Sequence, residues 1–302
     1  MDHAIAELLR WYRVHKRKLP WRDVLDAKGN LDAYKIFVSE IMLQQTQVDR
    51  VIPKFKTWIK KFSSWKKLSD ATNADVIRAW SGLGYNRRAL MIRDSARRVM
   101  QDGVPHDETT WRTLPGVGPY TSAVLAGFIN HARTVAIDTN VRRVAGRALC
   151  GIPFPQLSDQ ERVHRALDRT IPKTGKTWEI PPAFMDLGSI ICTTKIQDCA
   201  HCPLKSTCRA QNKISKMEKH ISQKIKKENH HLNKPFPDRI YRGRILACVQ
   251  KKSIQISQLG KKIDATFSKD DDTAWIERMI TRLERDTLIT RKKNTITLSS
   301  CT

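Results

Sequence analysis

The sequence predicts an all-α fold up to residue 210, followed by a small α+β unit. Three observations point there. Before residue 210, apolar residues recur at helical spacing in one segment after another, and none alternates with period two over any length. Four cysteines crowd into residues 192–208. Residues 235–302 carry three helical patterns and then two alternating segments around the turn Lys292-Lys293-Asn294, which is the order of a winged helix.

Apolar periodicity predicts helices over residues 4–17, 34–51, 55–61, 75–80, 89–100, 140–149, 160–171 and 183–191. Leu19-Pro20-Trp21-Arg22 breaks the first, and Pro53 interrupts or ends the second. Gly82-Leu83-Gly84-Tyr85 forms a tight loop. Leu114-Pro115-Gly116-Val117-Gly118-Pro119-Tyr120 reads as a hairpin opening a helix. Its glycines allow positive φ, proline suits the first helical turn, and bare backbone N–H groups at a helix start can bind a phosphate. An ordinary helix corner has the same pattern. In the C-terminal unit, helices are expected over 238–250, 256–263 and 273–285, and strands over 288–290 and 295–298. Residues 213–234 hold seven lysines, two glutamates and no aromatic residue, so they read as a basic linker.

The chain has 302 residues, 55 Lys and Arg against 30 Asp and Glu, and a formal charge of +25. Such an excess favours a polyanionic partner, nucleic acid above all. No apolar run reaches about 18 residues, so no membrane span or membrane partner is expected. Met1-Asp2-His3-Ala4 does not begin a secretory signal. Seven cysteines, four of them clustered, suit a reducing intracellular compartment and a metal site.

The spacing Cys192-x6-Cys199-x2-Cys202-x5-Cys208 lets four thiolates wrap one inorganic centre. Iron–sulfur clusters and zinc both accept four cysteines. A single Cys-x2-Cys pair, where zinc sites usually have two, favours [4Fe–4S]. Cys150, Cys248 and Cys301 read as ordinary thiols. Glu40, Gln44 and Gln47 fall on one face of the 34–51 helix. This is either a solvated stripe or an amide-rich, base-reading face with a carboxyl tuned as a general acid. Asp138 is either a helix N-cap or a carboxylate that stabilises a cation. Tyr85, followed by Arg87 and Arg88, is either a solvent loop or an aromatic wedge backed by phosphate-binding arginines.

Seven motifs occur in one order: Leu-Pro-Trp-Arg (19–22), Ser-Glu-Ile-Met-Leu-Gln-Gln-Thr-Gln-Val (39–48), Gly-Leu-Gly-Tyr (82–85), Leu-Pro-Gly-Val-Gly (114–118), Ile-Asp-Thr-Asn-Val-Arg-Arg-Val (137–144), Met-Asp-Leu-Gly (185–188) and the cysteine loop. Residues 1–210 thereby resemble the helix-hairpin-helix DNA glycosylases, and the MutY-type adenine DNA glycosylases most of all. The resemblance implies a two-module fold. A six-helix module with the hairpin would span 30–135. Residues 1–29 would join 136–212 around a [4Fe–4S] cluster, with 213–234 as linker and 235–302 as the winged-helix-like domain. It implies a monomeric intracellular enzyme acting on double-stranded DNA that contains adenine mispaired with 8-oxoguanine or guanine, with the adenine flipped into a pocket. Glu40 would protonate the adenine ring, and Asp138 would stabilise an oxocarbenium-like sugar, akin to glycoside hydrolysis. Trp21 and Arg22 would line the pocket, Gln44 and Gln45 would probe the opposite strand, and Tyr85 would enter the stack. Gly116 and Gly118 would anchor DNA, and Arg87 would contact it. Endonuclease III-type relatives carry a lysine where Tyr120 stands, and a phenol cannot form the Schiff base of a lyase. Base excision without strand cutting is therefore expected.

Two departures stand out. The residues after 210 do not resemble the nudix-like domain common in the MutY type, and Trp178-Glu179-Ile180-Pro181-Pro182-Ala183-Phe184 replaces a polar lead into the 185–188 motif. Two other readings share these features: a thymine or uracil mismatch glycosylase, and a non-enzymatic iron–sulfur protein that binds DNA or senses redox state.

Overall fold

The computed structural model of the protein describes residues 2–26, 29–175, 177–214, 230–232 and 234–300. In chain order it forms α1 (Asp2–His15), α2 (Ala33–Leu43), α3 (Val48–Lys61), α4 (Trp65–Ser69), α5 (Asn73–Trp80), α6 (Arg87–Asp102), α7 (Glu108–Arg112), α8 (Pro119–Asn130), α9 (Thr139–Cys150), α10 (Gln160–Thr170), α11 (Ile180–Ile190), α12 (Gln211–Ile214), α13 (Asp238–Lys251), β1 (Ile254–Gln255), α14 (Leu259–Ile263), α15 (Lys269–Arg285), β2 (Ile289–Lys292) and β3 (Thr295–Leu298). The described chain is helical up to residue 214, and its last part has the helix and strand order of a winged helix. The antiparallel sheet runs β1-β3-β2, and β1 is an addition to the sequence expectation. Cys301 and most of the 213–234 linker lie outside the described residues. No described helix is long and apolar enough to cross a membrane.

The chain divides into two compact units, Met1–Phe37 with Val104–Ser222 and Val38–Gly103 with Gln223–Thr302. These cuts fall elsewhere than residues 30 and 136, and the glycine hairpin belongs to the first unit.

In the first unit, α1, α9, α10 and α11 share one core in which Leu8, Val144, Ala145, Val163, Leu167 and Phe184 are buried. A fully buried carboxylate, Asp186, ties the segment after α1 to this core. Arg17 donates to it from its backbone N–H (3.0 Å) and from Nε (2.6 Å). Arg22 donates in a bidentate fork, Nη1 at 2.6 Å and Nη2 at 3.0 Å. Burial raises the Asp186 pKa, but the Arg22 bonds and charge, with those of Arg17, outweigh it and hold the carboxyl below the usual aspartate range. Two residues on, Gly188 lets α11 meet α9. A Cβ there would stand 2.9 Å from Asn140 Cβ and 3.1 Å from a Val144 methyl.

In the second unit, Trp58 packs edge-on against both Trp80 (5.5 Å) and Phe62 (4.9 Å). Two expectations need correction here. Pro53 does not stop a helix, since α3 runs through it to Lys61. Val51, Phe55 and Trp58 are buried on one face, and at about 1.5–3 kcal/mol each they outweigh the roughly 3 kcal/mol an interior proline costs. The 34–51 segment is not one helix either. It ends at Leu43, Gln45 takes the left-handed conformation (φ 57), and Gln47 caps α3. Glu40, Gln44 and Gln47 therefore do not share a helical face. In the same unit, the Asn73 amide donates to Ser299 Oγ at 3.0 Å, both side chains buried, which fastens the chain's last strand to α5.

Replacing Asp186 by Ala leaves two guanidinium groups facing an apolar core. A loss of about 3–5 kcal/mol is expected in urea unfolding. Because the folded pKa is depressed, this contribution is present above the ordinary aspartate pKa and lost as pH falls through the folded value. Stability of the native chain should decline more in acid than that of the variant.

Candidate active site and cysteine loop

The first unit carries the hairpin. Gly116 adopts φ 81, where a side chain would be strained, and the Val117 N–H closes the turn on the Leu114 carbonyl at 3.1 Å. Gly118 is extended (φ −95, ψ −177) and caps α8, with Pro119 at the helix start. A Cβ on Gly118 would meet nothing within 4 Å. Its bareness leaves room for a ligand to approach the positive end of a 12-residue helix. Tyr120 follows, half-buried against Ala123, Val124 and Ala136.

Asp138 is the N-cap of α9, half-buried. Its Oδ1 accepts the Val141 N–H at 2.6 Å, and its Oδ2 accepts from the Asn140 amide at 3.0 Å. The Asn140 amide oxygen in turn takes Arg143 Nη2 at 2.7 Å. Arg143 also donates to the carbonyls of Gly188 (2.8 Å) and Cys192 (2.9 Å). The carboxylate is thus fixed by a relay that begins at the α11–α9 contact and at the first cysteine. The helix N-cap reading of Asp138 is met in this geometry.

Trp21 is buried, at 6% exposure. Arg22 commits both terminal nitrogens to Asp186, and Nη1 also reaches the Arg17 carbonyl at 3.3 Å. Its guanidinium lies 5.8 Å from the Tyr12 ring. Burial, opposed by Arg22, pushes the Tyr12 phenol up to about 12.

Cys192, Cys199, Cys202 and Cys208 are free thiols, as are Cys150 and Cys248. Cys192, Cys202 and Cys208 pack against the same core, and each of Cys199, Cys202 and Cys208 senses the Cys192 sulfur electrostatically. Arg147, only 2% exposed, donates from Nη1 to Cys192 Sγ at 3.2 Å and to the Thr193 carbonyl at 3.0 Å. A buried guanidinium is costly unless an anion or strong acceptor meets it, and a metal-bound sulfur at Cys192 would be such an acceptor. Among the described residues, no three His, Cys, Asp or Glu side chains form a single-ion site.

The second unit carries Glu40, Gln44, Gln45, Tyr85 and Arg87. Glu40 is half-buried near the end of α2, between the buried Ser39 and Ile41. Gln45 is exposed on its left-handed turn. Tyr85, also left-handed (φ 47), is 64% exposed, and Arg87 is exposed beside it. Arg88 holds these pieces together. It is 7% exposed. Nη1 donates to the carbonyls of Ile41 (2.9 Å) and Gln44, and Nη2 to Thr46 Oγ1 (3.1 Å) and the Gly84 carbonyl (3.3 Å). Its guanidinium sits 5.3 Å from the Trp80 ring and 5.2 Å from the Tyr85 ring. Burial pushes its pKa down to about 10. The cation lies at the negative end of α2, where the macrodipole favours it.

Arg88, Arg147, Asn140 and Asp186 are the positions sequence reasoning undervalued. A signal existed for the arginines. Arg88 continues the apolar stripe of Ile92, Ala96 and Val99, and Arg147 lies between the buried Val144 and Ala148. Truncating Arg88 to Ala leaves buried carbonyls unmet, at about 1–3 kcal/mol each. The midpoint of urea unfolding should fall accordingly. Arg88→Lys should recover less than half of the loss, because a point charge cannot span carbonyls on two loops.

Residues 38–172 match the HhH-GPD superfamily base excision DNA repair protein family. A Mycolicibacterium smegmatis protein named adenine DNA glycosylase is 39% identical over 215 residues, covering 69% of this chain and 70% of its own. The mouse adenine DNA glycosylase is 36% identical over 219 residues, covering 70% of this chain and 42% of its own. The human one is 36% identical over 217 residues, covering 69% and 39%. The chain therefore spans less than half the length of these mammalian relatives. Among solved structures, a thermostable thymine-DNA glycosylase superposes with a TM-score of 0.61 at 23% identity, over 69% of this chain and 95% of that one. An endonuclease III in a non-covalent DNA complex gives 0.57 at 21% identity, over 70% and 95%. The structural likenesses carry the fold, and the sequence identities carry the kinship: the chain belongs to the adenine DNA glycosylase family within the HhH-GPD superfamily of base excision DNA repair proteins.

Proposed function

We propose that the chain hydrolyses the N-glycosidic bond of adenine opposite 8-oxoguanine or guanine in double-stranded DNA, without strand cleavage. The observation that carries this reading is the oriented Asp138 carboxylate. Donors on both its oxygens fix it, among the described residues without an ion pair of its own, and that arrangement suits stabilising positive charge on a sugar. Glu40 serves as the general acid toward the adenine ring. Tyr120, just past the hairpin, offers no amine for a Schiff base. The exposed, left-handed Gln45 with Gln44, and the exposed Tyr85 with Arg87, suit probing and wedging a duplex. Gly116 and Gly118 suit a backbone phosphate at the start of α8. Trp21 lines the adenine pocket, while Arg22 acts through its clamp on Asp186. Cys192, Cys199, Cys202 and Cys208 hold a [4Fe–4S] cluster, which supplies a rigid iron–sulfur centre to the loop that carries them.

The test is a labelled duplex containing A opposite 8-oxoguanine, incubated with the protein and heated in alkali. Cleavage at the adenine is expected. Glu40→Gln should slow excision by about 10²–10⁴-fold while duplex affinity stays within a few-fold. Scission without alkali, at the rate of base loss, would overturn the role given to Tyr120. Preferential cleavage of T:G or U:G duplexes would replace adenine with a pyrimidine substrate.

A further inference from the structure

On the first unit, α10, the end of α9 and the residue after Cys208 enclose a cleft of about 210 Å³. Arg162, Arg165, Arg169 and Arg209 line it with Cys150, and among the described residues no acidic side chain does. The arginines are poorly compensated. Arg162 lies in the first turn of α10, where the helix dipole disfavours a cation. Arg165 and Arg169 are like charges at i, i+4, a destabilising spacing. Among the described residues Arg165 pairs with Glu161 alone, at 3.8 Å and with both side chains exposed, a weak pairing. Asp168 on the same helix is taken by Arg133 at 2.7 Å. Asp159, near Cys150, accepts the Gln156 N–H at 2.8 Å. Among the described residues, neither Arg169 nor Arg209 has a carboxylate within ion-pair distance. Arg162 steadies the floor by donating to the Cys150 carbonyl at 3.3 Å. Arg209 is held opposite by its backbone N–H on the Ala148 carbonyl at 3.1 Å.

We infer that this cleft binds a phosphate oxyanion, through the guanidinium groups of Arg165, Arg169 and Arg209. Guanidinium forks match phosphate oxygens in pairs. The volume is below the roughly 300–1,000 Å³ of sites that take drug-sized ligands, so it suits one phosphate group rather than a whole nucleotide. That group comes either from the backbone of DNA or from a free phosphorylated molecule. The cleft shares no residue with the candidate active site, and its anion chemistry does not depend on excision.

Two measurements on the full chain test it, with Arg165→Gln/Arg169→Gln and Arg165→Lys/Arg169→Lys as variants. In calorimetry with inorganic phosphate, the native chain should bind, the glutamine pair should not, and the lysine pair should retain weaker binding. Affinity for an undamaged duplex, measured against salt, reports the source. If the phosphate belongs to DNA, the glutamine pair lowers the slope of log Kd against log salt by about 0.9 for one contact, and the lysine pair restores it. If the slope is unchanged while phosphate binding is lost, the ligand is a free phosphorylated molecule. Arg209→Gln, approaching from the other wall, should reproduce either loss. If phosphate heats and salt slopes are the same in all variants, the inference is wrong. Because neither measurement needs a substrate duplex, a chain that binds phosphate here yet fails to excise adenine opposite 8-oxoguanine would refute the proposed function and leave the cleft standing.

Discussion

Asp186 is buried completely, and four hydrogen bonds from Arg17 and Arg22 hold it. Those bonds fix the segment after α1 against α11. The position of α11 then sets where Gly188 meets Asn140, and Asn140 orients one oxygen of Asp138. A carboxylate without these donors would be driven out of the core or protonated. The chain from the clamp to the helix cap explains how a half-buried carboxylate can be aimed by residues that never touch it.

A second regularity concerns buried cations. The buried Arg88 and Arg147 and the half-buried Arg143 are met chiefly by backbone carbonyls, with a threonine hydroxyl, an asparagine and a thiol. In a chain with 55 Lys and Arg against 30 Asp and Glu, carboxylates are too few to answer every cation. Carbonyls at helix ends and in loops are already dipolar and already unpaired within their helices. Placing a guanidinium fork there satisfies both sides and locks several loops with one side chain. Arg88 does this for the end of α2, the Gln44–Gln45 turn and the Gly84 loop. Arg147 does it for the loop that begins at Cys192.

The same economy gives the exposed features their precision. Tyr85 stands in solvent on a left-handed backbone, a conformation uncommon for a bulky residue, yet the Arg88 cation sits 5.2 Å from its ring. Gln45 projects from a left-handed turn whose carbonyl neighbour is bound by the same arginine. The groups suited to touch a partner are held from beneath by groups that touch only protein.

Much of this was legible in the sequence. Apolar periodicity located most helices within a few residues, because burying one face is a local pattern repeated along the chain. The spacing of four cysteines, the Gly116–Gly118 hairpin and the capping role of Asp138 were legible for the same reason: each is set by neighbours a few residues away. The end of α2 at Leu43 was not legible, because residues 44–51 suit a helix, and what ends it is Arg88, some 44 residues along the chain. The passage of α3 through Pro53 was hidden because burial, not propensity, decided it. The Asp186 clamp joins residues 164 and 169 apart, and neither its depth nor its partners leave a trace in composition. The sequence by itself determined the helical class, the motifs and the kinds of chemistry present. Only the tertiary structure decided which charges are buried and which groups orient which, since those depend on desolvation and on contacts between distant segments.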